Sequence, residues 1–340
     1  MIIVMAPGAS EKQVQDVLKR LEARGYGHHI SAGVERTIIG AIGANEREKA
    51  QVADALSQLP GVERVVPILK SFKLVSRDHH PEGTVVHIGG AKFGSGHVGI
   101  IAGPCTIETE KQVREAAKAV KAAGAHVLRG GAFKPRTSPY DFQGLRDEGV
   151  QMLAAAGQEA GLPTITEAME PRQVELVAGL CDAIQIGTRN MSNFDLLREA
   201  GATGKPVMLK RGFAATVEEW LKAAEYVATT GNLNIILCER GIRSFDTITR
   251  FTLDLAGMAA AKLETHLPII VDPSHATGTH RLVGPMSLAA LAAGADGLMI
   301  EVHPHPDQAR CDGPQSLTPK RFSMLMEQIR QVVQIVAAEL

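Results

Sequence analysis

The sequence predicts an α/β protein in which a (β/α)8 TIM barrel follows a small ferredoxin-like α+β domain. Strand and helix patterns alternate eight times between Val98 and the end of the 340-residue chain, and polar residues follow nearly every strand. Eight β-α units in this length match a closed barrel, which takes about 250 residues. An open doubly wound sheet is the alternative, but no Gly-x-Gly-x-x-Gly fingerprint follows the first strand.

Residues 1–70 show a different order of elements, βαββαβ, which is typical of a ferredoxin-like module. The first helix is predicted to open at a capping box formed by Ser10 and Gln13, and the second to run over Glu46–Leu59. The predicted strands are Ile2–Met5, His29–Ser31, Thr37–Ile42 and Val62–Ile68. No His, Cys or acidic residues cluster there with ligand spacing. We therefore expect this domain to serve regulation or assembly, and the sequence leaves these two roles equally open.

A polar segment separates the two predicted domains. The run from Ser76 to Gly83 is polar and contains Pro81, which is typical of a boundary. Short apolar runs then flank Gly89-Gly90 and predict a hairpin. The predicted limits are 1–75 for the ferredoxin-like regulatory or assembly domain, 76–97 for the linker and short β-hairpin, and 98–340 for the catalytic barrel.

The eight predicted barrel strands are short apolar runs, and several of the intervening amphipathic helices are introduced by Ala-Gly turns. The strands are Gly99–Ala102, His126–Arg129, Pro163–Thr166, Ala183–Ile186, Val207–Leu209, Ile235–Leu237, Ile269–Val271 and Leu298–Ile300. In a closed barrel the eighth strand pairs with the first. The C-terminal ends of strands seven, eight and one therefore share one part of the rim.

Composition and charge narrow the functional classes. The formal net charge is −1, so no global basic field predicts binding to nucleic acid or to an anionic membrane. No apolar run approaches the roughly 20 residues of a membrane span, and the first residues lack the basic region of a signal peptide. The four cysteines lie far apart, which disfavours a disulfide framework. We expect a cytoplasmic protein with neither a nucleic acid nor a membrane as partner.

Four potential metal ligands fall on the shared part of the rim: Cys105, His275, Glu301 and Asp312. A thiolate, an imidazole and two carboxylates suit a divalent ion, with the sulfur favouring Fe²⁺ or Zn²⁺ and the carboxylates Mn²⁺. Each residue alone has a structural explanation, and only the barrel brings them together. Two alternatives stay open: neighbouring histidines could compete as ligands, and Cys311 could replace Cys105. The histidines concerned are His280, His303 and His305.

Cations follow several of the other strands and indicate anionic substrates. Arginine suits bidentate binding of phosphate or carboxylate, whereas lysine acts as a point charge or a proton carrier. A metal on one side of the rim and cations on the other imply substrates that carry phosphates and a carboxylate. The residues concerned are Arg129 and Lys134, with Arg136, Thr137 and Ser138 in the same loop, then Arg189, Lys210, Arg211, Arg240 and Arg243.

Across nearly the whole chain the sequence resembles the 3-deoxy-D-arabino-heptulosonate 7-phosphate (DAHP) synthases, in the branch with a small N-terminal ferredoxin-like domain. The segments that carry the resemblance are Ile101–Cys105, Lys134–Ser138, Asp272–Gly278, Glu301–Pro304 and Asp312–Leu317. The resemblance implies a transferase that condenses phosphoenolpyruvate with D-erythrose 4-phosphate and releases phosphate. This reaction is the first committed step of the shikimate route to aromatic amino acids.

The resemblance also implies roles for individual residues. Cys105, His275, Glu301 and Asp312 match the family's ligands for a divalent ion, which could be Mn²⁺, Fe²⁺, Co²⁺ or Zn²⁺. Arg129, Lys134, Arg189, Lys210 and Arg240 match its phosphoenolpyruvate site, and Arg136, Thr137 and Ser138 match the positions that grip the aldose phosphate. Lys134 is expected to pass a proton to the new alkoxide or to orient phosphoenolpyruvate, although a metal-bound water could transfer the proton instead. Cys311 and His305 depart from the family pattern.

We also expect a homotetramer or homodimer. Its predicted effector is an aromatic amino acid, tyrosine or phenylalanine, which inhibits by docking residues 1–70 of one subunit over the barrel mouth of another.

Three rival functions are weaker. The nearest is 3-deoxy-D-manno-octulosonate 8-phosphate synthase, a sister enzyme that uses arabinose 5-phosphate; its loop tends to read Lys-Ala-Asn-Arg-Ser, whereas this loop reads Lys134-Pro135-Arg136-Thr137-Ser138. The second rival is a Schiff-base aldolase using Lys134 or Lys210, which would need a desolvated lysine and no metal ligands. The third is a non-catalytic metabolite sensor, in which the loss of a ligand or a cation would be expected; none is lost here.

Overall fold

The computed structural model describes residues 1–32, 37–42, 46–66 and 71–336. Its contacts divide the chain into two compact units, Met1–Ser71 and Phe72–Leu340. The first unit therefore ends before the predicted limit at residue 75, because Phe72 and Val75 pack in the core of the second unit. No helix in the described ranges is both long and apolar enough to cross a membrane.

The first unit is a four-stranded antiparallel sheet with two helices. Its strands are β1 (Ile2–Met5), β2 (Gly27–Ala32), β3 (Thr37–Ile42) and β4 (Val62–Val66), in the sheet order β2-β3-β1-β4, and its helices are α1 (Glu11–Glu22) and α2 (Glu46–Ser57). This order confirms the ferredoxin-like prediction. The predicted capping box is also present, because the Ser10 hydroxyl accepts a hydrogen bond from the Gln13 backbone N–H at 3.4 Å. Ile68, the last residue of the predicted fourth strand, lies outside the described residues.

The second unit is a closed eight-stranded parallel barrel, which confirms the predicted fold class. Its strands are β7 (Gly99–Gly103), β8 (Val127–Arg129), β9 (Thr164–Ala168), β10 (Ala183–Ile186), β11 (Val207–Lys210), β12 (Ile235–Glu239), β13 (Ile269–Val271) and β14 (Gly297–Glu301). The barrel closes where β14 pairs with β7, with Leu298 opposite Ile100.

Nine helices lie in the described part of this unit. They are α3 (Glu110–Ala123), α4 (Arg146–Ala160), α5 (Val174–Leu180), α6 (Phe194–Ala202), α7 (Val217–Ala228), α8 (Leu255–Glu264), α9 (Pro273–Thr277), α10 (His280–Ala292) and α11 (Pro319–Ile335). Strand and helix alternate as predicted, except that a short extra helix, α9, lies directly after β13. The sequence pattern did not predict this helix. Asp272 caps α9 by accepting a hydrogen bond from the His275 backbone N–H at 2.9 Å.

A hairpin of β5 (Val86–Ile88) and β6 (Ala91–Phe93) packs at the N-terminal ends of the barrel strands. Its buried side chains join the interior cluster of the barrel. A Cβ on Gly99 would lie 2.1 Å from the Phe93 ring, and one on Gly89 would lie 2.9 Å from Pro163, which precedes β9. These close approaches place the hairpin against the strand starts. The C-terminal rim is left as the side on which polar loops meet.

Candidate metal centre and anion pocket

Four predicted ligands meet at the junction of β13, β14 and β7. Cys105 follows β7, His275 lies in α9, Glu301 ends β14, and Asp312 follows in the next loop with a left-handed backbone φ of 54°. One donor atom from each lies within 4.8 Å of the others. They meet because parallel strands present their C-terminal ends on one rim. We call these four residues the quartet.

Distances within the quartet leave room for one ion at its centre. His275 Nε2 lies 3.2 Å from Glu301 Oε1 and 3.8 Å from Asp312 Oδ2. The Cys105 thiol lies 3.2 Å from the same Asp312 oxygen. A sulfur, an imidazole nitrogen and two carboxylates form a donor set that suits first-row divalent ions. The residues present therefore fit the metal site that the sequence predicts.

The histidines that could have competed for the ion lie outside this group. His303 Nε2 lies 3.7 Å from a Glu108 oxygen, and His280 Nδ1 lies 3.2 Å from the Pro314 carbonyl oxygen. Cys311 comes closer, since its sulfur is 3.6 Å from that of Cys105. Cys311 thus stays an alternative thiol beside the centre.

A buried carboxylate, Asp272, fixes the orientation of His275. Asp272 Oδ2 lies 2.7 Å from His275 Nδ1 and 2.6 Å from Lys210 Nζ. Burial acts to raise the pKa of Asp272, but His275 and Lys210 hold it well below its ordinary value. Asp272 is therefore ionised, and its carboxylate can only accept hydrogen bonds. The His275 proton must then sit on Nδ1, which leaves the Nε2 lone pair free for an ion.

Ionisation within the quartet reflects its burial. Burial lowers the pKa of His275, which favours the neutral imidazole that a metal needs. Burial and the Cys105 sulfur raise the pKa of Glu301 to about 7. The hydrogen bond with Cys311, together with burial, raises the pKa of the Cys105 thiol well above its ordinary value. A bound cation reverses this last effect, because a coordinating thiol loses its proton.

Four cations contact the quartet or its support, and we call them the paired cations. Each has an anionic or thiol partner. The contacts are Lys134 Nζ to Cys105 Sγ at 3.0 Å, Arg129 to Glu301 Oε1 at 3.0 Å, Lys210 to Asp272 at 2.6 Å, and Arg250 to Asp312 at 3.2 Å. Burial acts to lower the pKa of Lys134, but the sulfurs of Cys105 and Cys311 raise it above its ordinary value. These cations balance the charge of the quartet.

Beside the quartet lies a cavity of about 290 Å³ whose walls carry most of the predicted cations. His275 and Asp312 reach it from the metal side. The predicted substrate-binding residues that line it are Arg129, Lys134, Arg136, Thr137, Arg189, Lys210 and Arg240. The metal ligands and the anion-binding groups thus share one space.

In the same cavity wall three arginines lie around one aromatic ring, and we call them the stacked arginines. The guanidinium carbons of Arg189, Arg240 and Arg243 lie 5.3, 5.0 and 5.1 Å from the centroid of Phe213. None of the three forms an ion pair with a carboxylate in the described part of the chain. Burial lowers the pKa of Arg240 to about 10, and its buried Nε atom lacks a hydrogen-bond partner.

The loop predicted to grip the aldose phosphate lies between these two groups of cations. Arg136 donates to Cys311 Sγ and pairs with Asp141 at 3.3 Å. The Thr137 hydroxyl accepts a hydrogen bond from Arg189 at 3.2 Å. Ser138 is in the same loop but does not line the cavity.

Arg211 occupies a different place from the other predicted substrate-binding residues. Its guanidinium is buried beneath the rim, where it pairs with Glu239 at 2.9 Å and Asp254 at 2.8 Å. It does not line the cavity. The physical reason is strand geometry: Lys210 and Arg211 are consecutive at the end of β11, so their side chains point to opposite sides. Arg211 therefore holds β11, β12 and the start of α8 together.

Two residues of this site, Gln315 and Glu167, were missed by sequence reasoning. Gln315 donates to Glu301 Oε2 at 2.6 Å, and Glu167 is a buried carboxyl group in the cavity wall that accepts a hydrogen bond from Gln185 at 2.9 Å. Burial raises the pKa of Glu167. The available signal was the position of Glu167 inside β9. A carboxyl group within an apolar barrel strand is costly to bury, and such groups cluster at functional sites.

Comparison with known proteins supports this picture along the whole chain. The sequence model of the DAHP synthetase I family matches residues 79–337, and that of the DAHP synthase ferredoxin-like domain matches residues 1–70. A phospho-2-dehydro-3-deoxyheptonate aldolase from Thermotoga maritima is 48% identical over 332 residues, which cover 98% of this chain and 97% of that protein. A 2-dehydro-3-deoxyphosphooctonate aldolase from Magnetococcus marinus is 33% identical and covers 69% of this chain and 88% of its own length.

Solved structures give the same result. The crystal structure of the DAHP synthase from Thermotoga maritima aligns with a TM-score of 0.81 at 47% identity, over 99% of this chain and 98% of that one. A truncated form of the 3-deoxy-D-arabino-heptulosonate 7-phosphate synthase from Thermotoga maritima aligns with a TM-score of 0.75 at 46% identity, over 79% of this chain and 99% of that one.

Proposed function

Because the chain belongs to the DAHP synthetase I family, we propose that it condenses phosphoenolpyruvate with D-erythrose 4-phosphate in a metal-dependent reaction. The products are 3-deoxy-D-arabino-heptulosonate 7-phosphate and inorganic phosphate. The observation that carries the proposal is the shared cavity, in which the quartet faces a wall of cations. One substrate with a phosphate and a carboxylate and a second with a phosphate would engage these cations.

The chemistry divides between the two sides of the cavity. Cations in the wall hold phosphoenolpyruvate, so that C3 of its enol can attack the aldehyde carbon of the sugar. Water then adds at C2, the C2–O bond breaks, and inorganic phosphate leaves. A divalent ion held by the quartet would polarise the aldehyde oxygen and stabilise the developing alkoxide. We assign the proton for that alkoxide to Lys134, which lines the cavity next to Cys105.

Contacts of the two lysines argue against a Schiff-base mechanism. That mechanism needs a neutral amine as nucleophile. Lys134 lies against the Cys105 sulfur at 3.0 Å, and Lys210 is paired with Asp272 at 2.6 Å. Neither amine therefore lies in the apolar surroundings that keep a nucleophilic lysine neutral. We therefore assign both lysines to charge stabilisation and proton transfer.

The choice of aldose is supported by the loop Lys134-Pro135-Arg136-Thr137-Ser138 and by the full-length similarity to a heptonate aldolase. The alternative substrate is arabinose 5-phosphate, which would make the protein a 3-deoxy-D-manno-octulosonate 8-phosphate synthase. Similarity to the octonate aldolase from Magnetococcus marinus is lower, at 33% identity, and covers only 69% of this chain. The match of residues 1–70 to the DAHP synthase ferredoxin-like domain also favours erythrose 4-phosphate as the aldose.

One experiment tests the activity, the aldose and the metal together. Phosphate release is measured with erythrose 4-phosphate and arabinose 5-phosphate side by side, each before and after treatment with a chelator. We expect turnover with the four-carbon sugar, little with the five-carbon sugar, and loss of activity on chelation that Mn²⁺, Fe²⁺, Co²⁺ or Zn²⁺ restores. Preference for arabinose 5-phosphate, or full activity in metal-free protein, would contradict the proposal.

For residues 1–70 we propose that an aromatic amino acid acts through them as an inhibitor. The proposal is supported by the ferredoxin-like sheet of this unit and by its match to the DAHP synthase ferredoxin-like domain. An inhibitor of this kind acts by binding one arrangement of the subunits more tightly than another. We keep the predicted homotetramer or homodimer as part of the same proposal.

A further inference from the structure

Two stacked phenylalanine rings stand among the stacked arginines. Phe213 follows β11 and Phe251 precedes α8; their ring centroids are 5.0 Å apart and their planes differ by 14°. Both rings line the cavity. Arg240 lies over both, with its guanidinium carbon 5.0 Å from the centroid of Phe213 and 4.3 Å from that of Phe251. The rings are thus the common neighbours of cations that come from separate loops.

Backbone contacts hold the two rings in place independently of the guanidinium groups. The Phe213 carbonyl accepts a hydrogen bond from the Arg243 N–H at 2.7 Å, and the Phe251 N–H donates to the Ala276 carbonyl at 2.8 Å. Gly241 has a φ of 93°, and a Cβ there would lie 2.7 Å from the Phe251 Cβ. The turn after Arg240 therefore needs glycine both for its backbone and for the approach of the ring.

The rings hold several arginines close together without a counter-ion, whereas each paired cation has an anionic or thiol partner. Three guanidinium groups near one another repel, and a carboxylate placed among them would hold them but would also cancel their charge. The face of an aromatic ring is electron-rich and attracts a guanidinium without carrying a net charge. A stacked pair can hold several arginines and leave their positive charge available to a ligand.

We propose that the Phe213–Phe251 pair is a platform that positions the stacked arginines for the anionic groups of phosphoenolpyruvate. On this basis Phe213 and Phe251 are positioning residues, and Arg243 joins Arg189 and Arg240 as a third guanidinium of that site. The inference rests on the proposed function for the identity of the substrate. The binding of an anion by the platform does not depend on turnover.

The test compares Phe213→Leu with Phe213→Tyr in the full-length, metal-loaded protein. Leucine is apolar but has no ring face, whereas tyrosine keeps one. Binding of phosphoenolpyruvate and of inorganic phosphate is measured by calorimetry without the aldose, and steady-state kinetics follow. For Phe213→Leu we expect both dissociation constants and the KM for phosphoenolpyruvate to rise about tenfold. We expect kcat and the KM for erythrose 4-phosphate to change little, and Phe213→Tyr to bind like the wild type.

A matched control exists outside the cavity. Phe194 stacks on Tyr226 with centroids 4.2 Å apart, and Arg198 lies 5.0 Å from the Tyr226 ring. Because Arg198 is also paired with Asp195 at 2.9 Å, this stack holds a cation whose charge is already balanced. Phe194→Leu should leave both dissociation constants unchanged. An equal loss in Phe194→Leu, or wild-type binding in Phe213→Leu, would overturn the platform.

Two further outcomes keep the test decisive. If Phe213→Leu does not fold, Phe251→Leu takes its place, since it removes the ring closest to Arg240, and unchanged binding in that variant overturns the proposal. If the wild type binds phosphate but makes no heptulosonate, the proposed function fails. Weaker binding in the leucine variant would then still support the platform.

Discussion

The paired cations and the stacked arginines are held in different ways, and Arg250 links the two groups because it pairs with Asp312 and also lies 5.8 Å from the Phe251 ring centroid. Next to the quartet every cation has a partner, as Lys134 has Cys105 and Arg129 has Glu301. Around Phe213 the arginines lie over aromatic rings, and no carboxylate in the described part of the chain forms an ion pair with them. The paired cations thus balance charge that the protein already carries. The stacked arginines carry charge that only a ligand can balance.

This difference indicates where the binding energy for the substrate resides. A cation without a counter-ion in a partly buried site loses solvation, and a bound phosphate restores favourable contacts. A cation that already has a carboxylate gains less from the same phosphate. We therefore expect changes on the quartet side to act mainly on the metal and on turnover. Changes on the arginine side should act mainly on substrate affinity.

The largest effect is expected for Cys105→Ser, on the quartet side. The thiolate supplies charge and geometry to the ion, so metal content should fall and kcat should drop by orders of magnitude while the barrel stays folded. Metal analysis, circular dichroism and turnover check this. Cys181→Ala is the control, because Cys181 is equally buried but has no place in the quartet. Full activity in Cys105→Ser would remove the quartet from the mechanism.

The next effect separates the two substrates. Arg240→Ala removes a stacked arginine and should raise the KM for phosphoenolpyruvate about 100-fold, because a charge-assisted contact to the anion is lost. Arg136→Ala should instead raise mainly the KM for erythrose 4-phosphate. Initial-rate kinetics with each substrate varied in turn measure the two values. Equal losses for both substrates in both variants would show that the anion sites are misassigned.

A smaller effect is expected for Asp272→Asn, which changes the support of the quartet without touching a ligand atom of the ion. The amide no longer fixes the proton of His275 on Nδ1 and no longer balances Lys210. We expect metal affinity to fall about tenfold. Competition with a chelating indicator measures it. A dissociation constant equal to that of the wild type would mean that the His275 orientation is set by its backbone alone.

The smallest effect on turnover is expected when residues 1–71 are removed. Every residue on both sides of the cavity lies beyond this point, so kcat and both KM values should stay close to those of the full chain. The response to tyrosine or phenylalanine should be lost. Inhibition that persists in the shortened protein would place the effector site in the barrel. The cut must not go further, because Glu225 binds the backbone N–H groups of Lys73, Leu74 and Val75 at 2.9–3.1 Å.

Barrel closure explains how much of the site could be predicted. The position of Cys105 next to Glu301 follows from the pairing of the eighth strand with the first, which is topology and needs no side-chain detail. The eight strands themselves were predicted for a different reason, because buried parallel strands are apolar along their whole length. The approach of Cys105 to Glu301 thus followed from strand order, whereas the positions of His275 in α9 and Asp312 in a loop came from the structure.

The parts that could not be predicted depend on side-chain direction and on loops. Arg211 was expected at the substrate, yet its direction depends on which of two consecutive residues faces the cavity. Phe213 and Phe251 meet across loops of unrelated sequence position, and no periodicity reports such a contact. Asp272 was visible in a motif, but its two partners became clear only from distances.

The hairpin of β5 and β6 has a kinetic consequence. It closes the floor of the barrel, since Phe93 packs on Gly99 and joins the interior cluster. The chamber is therefore closed at its base, and we expect substrates and products to pass between the loops of the C-terminal rim. On the proposed function, we expect the substrate that meets the buried Lys210 to enter before the sugar that meets the half-buried Arg136. A hairpin that closes the base of the barrel would in this way set the order in which the two substrates bind.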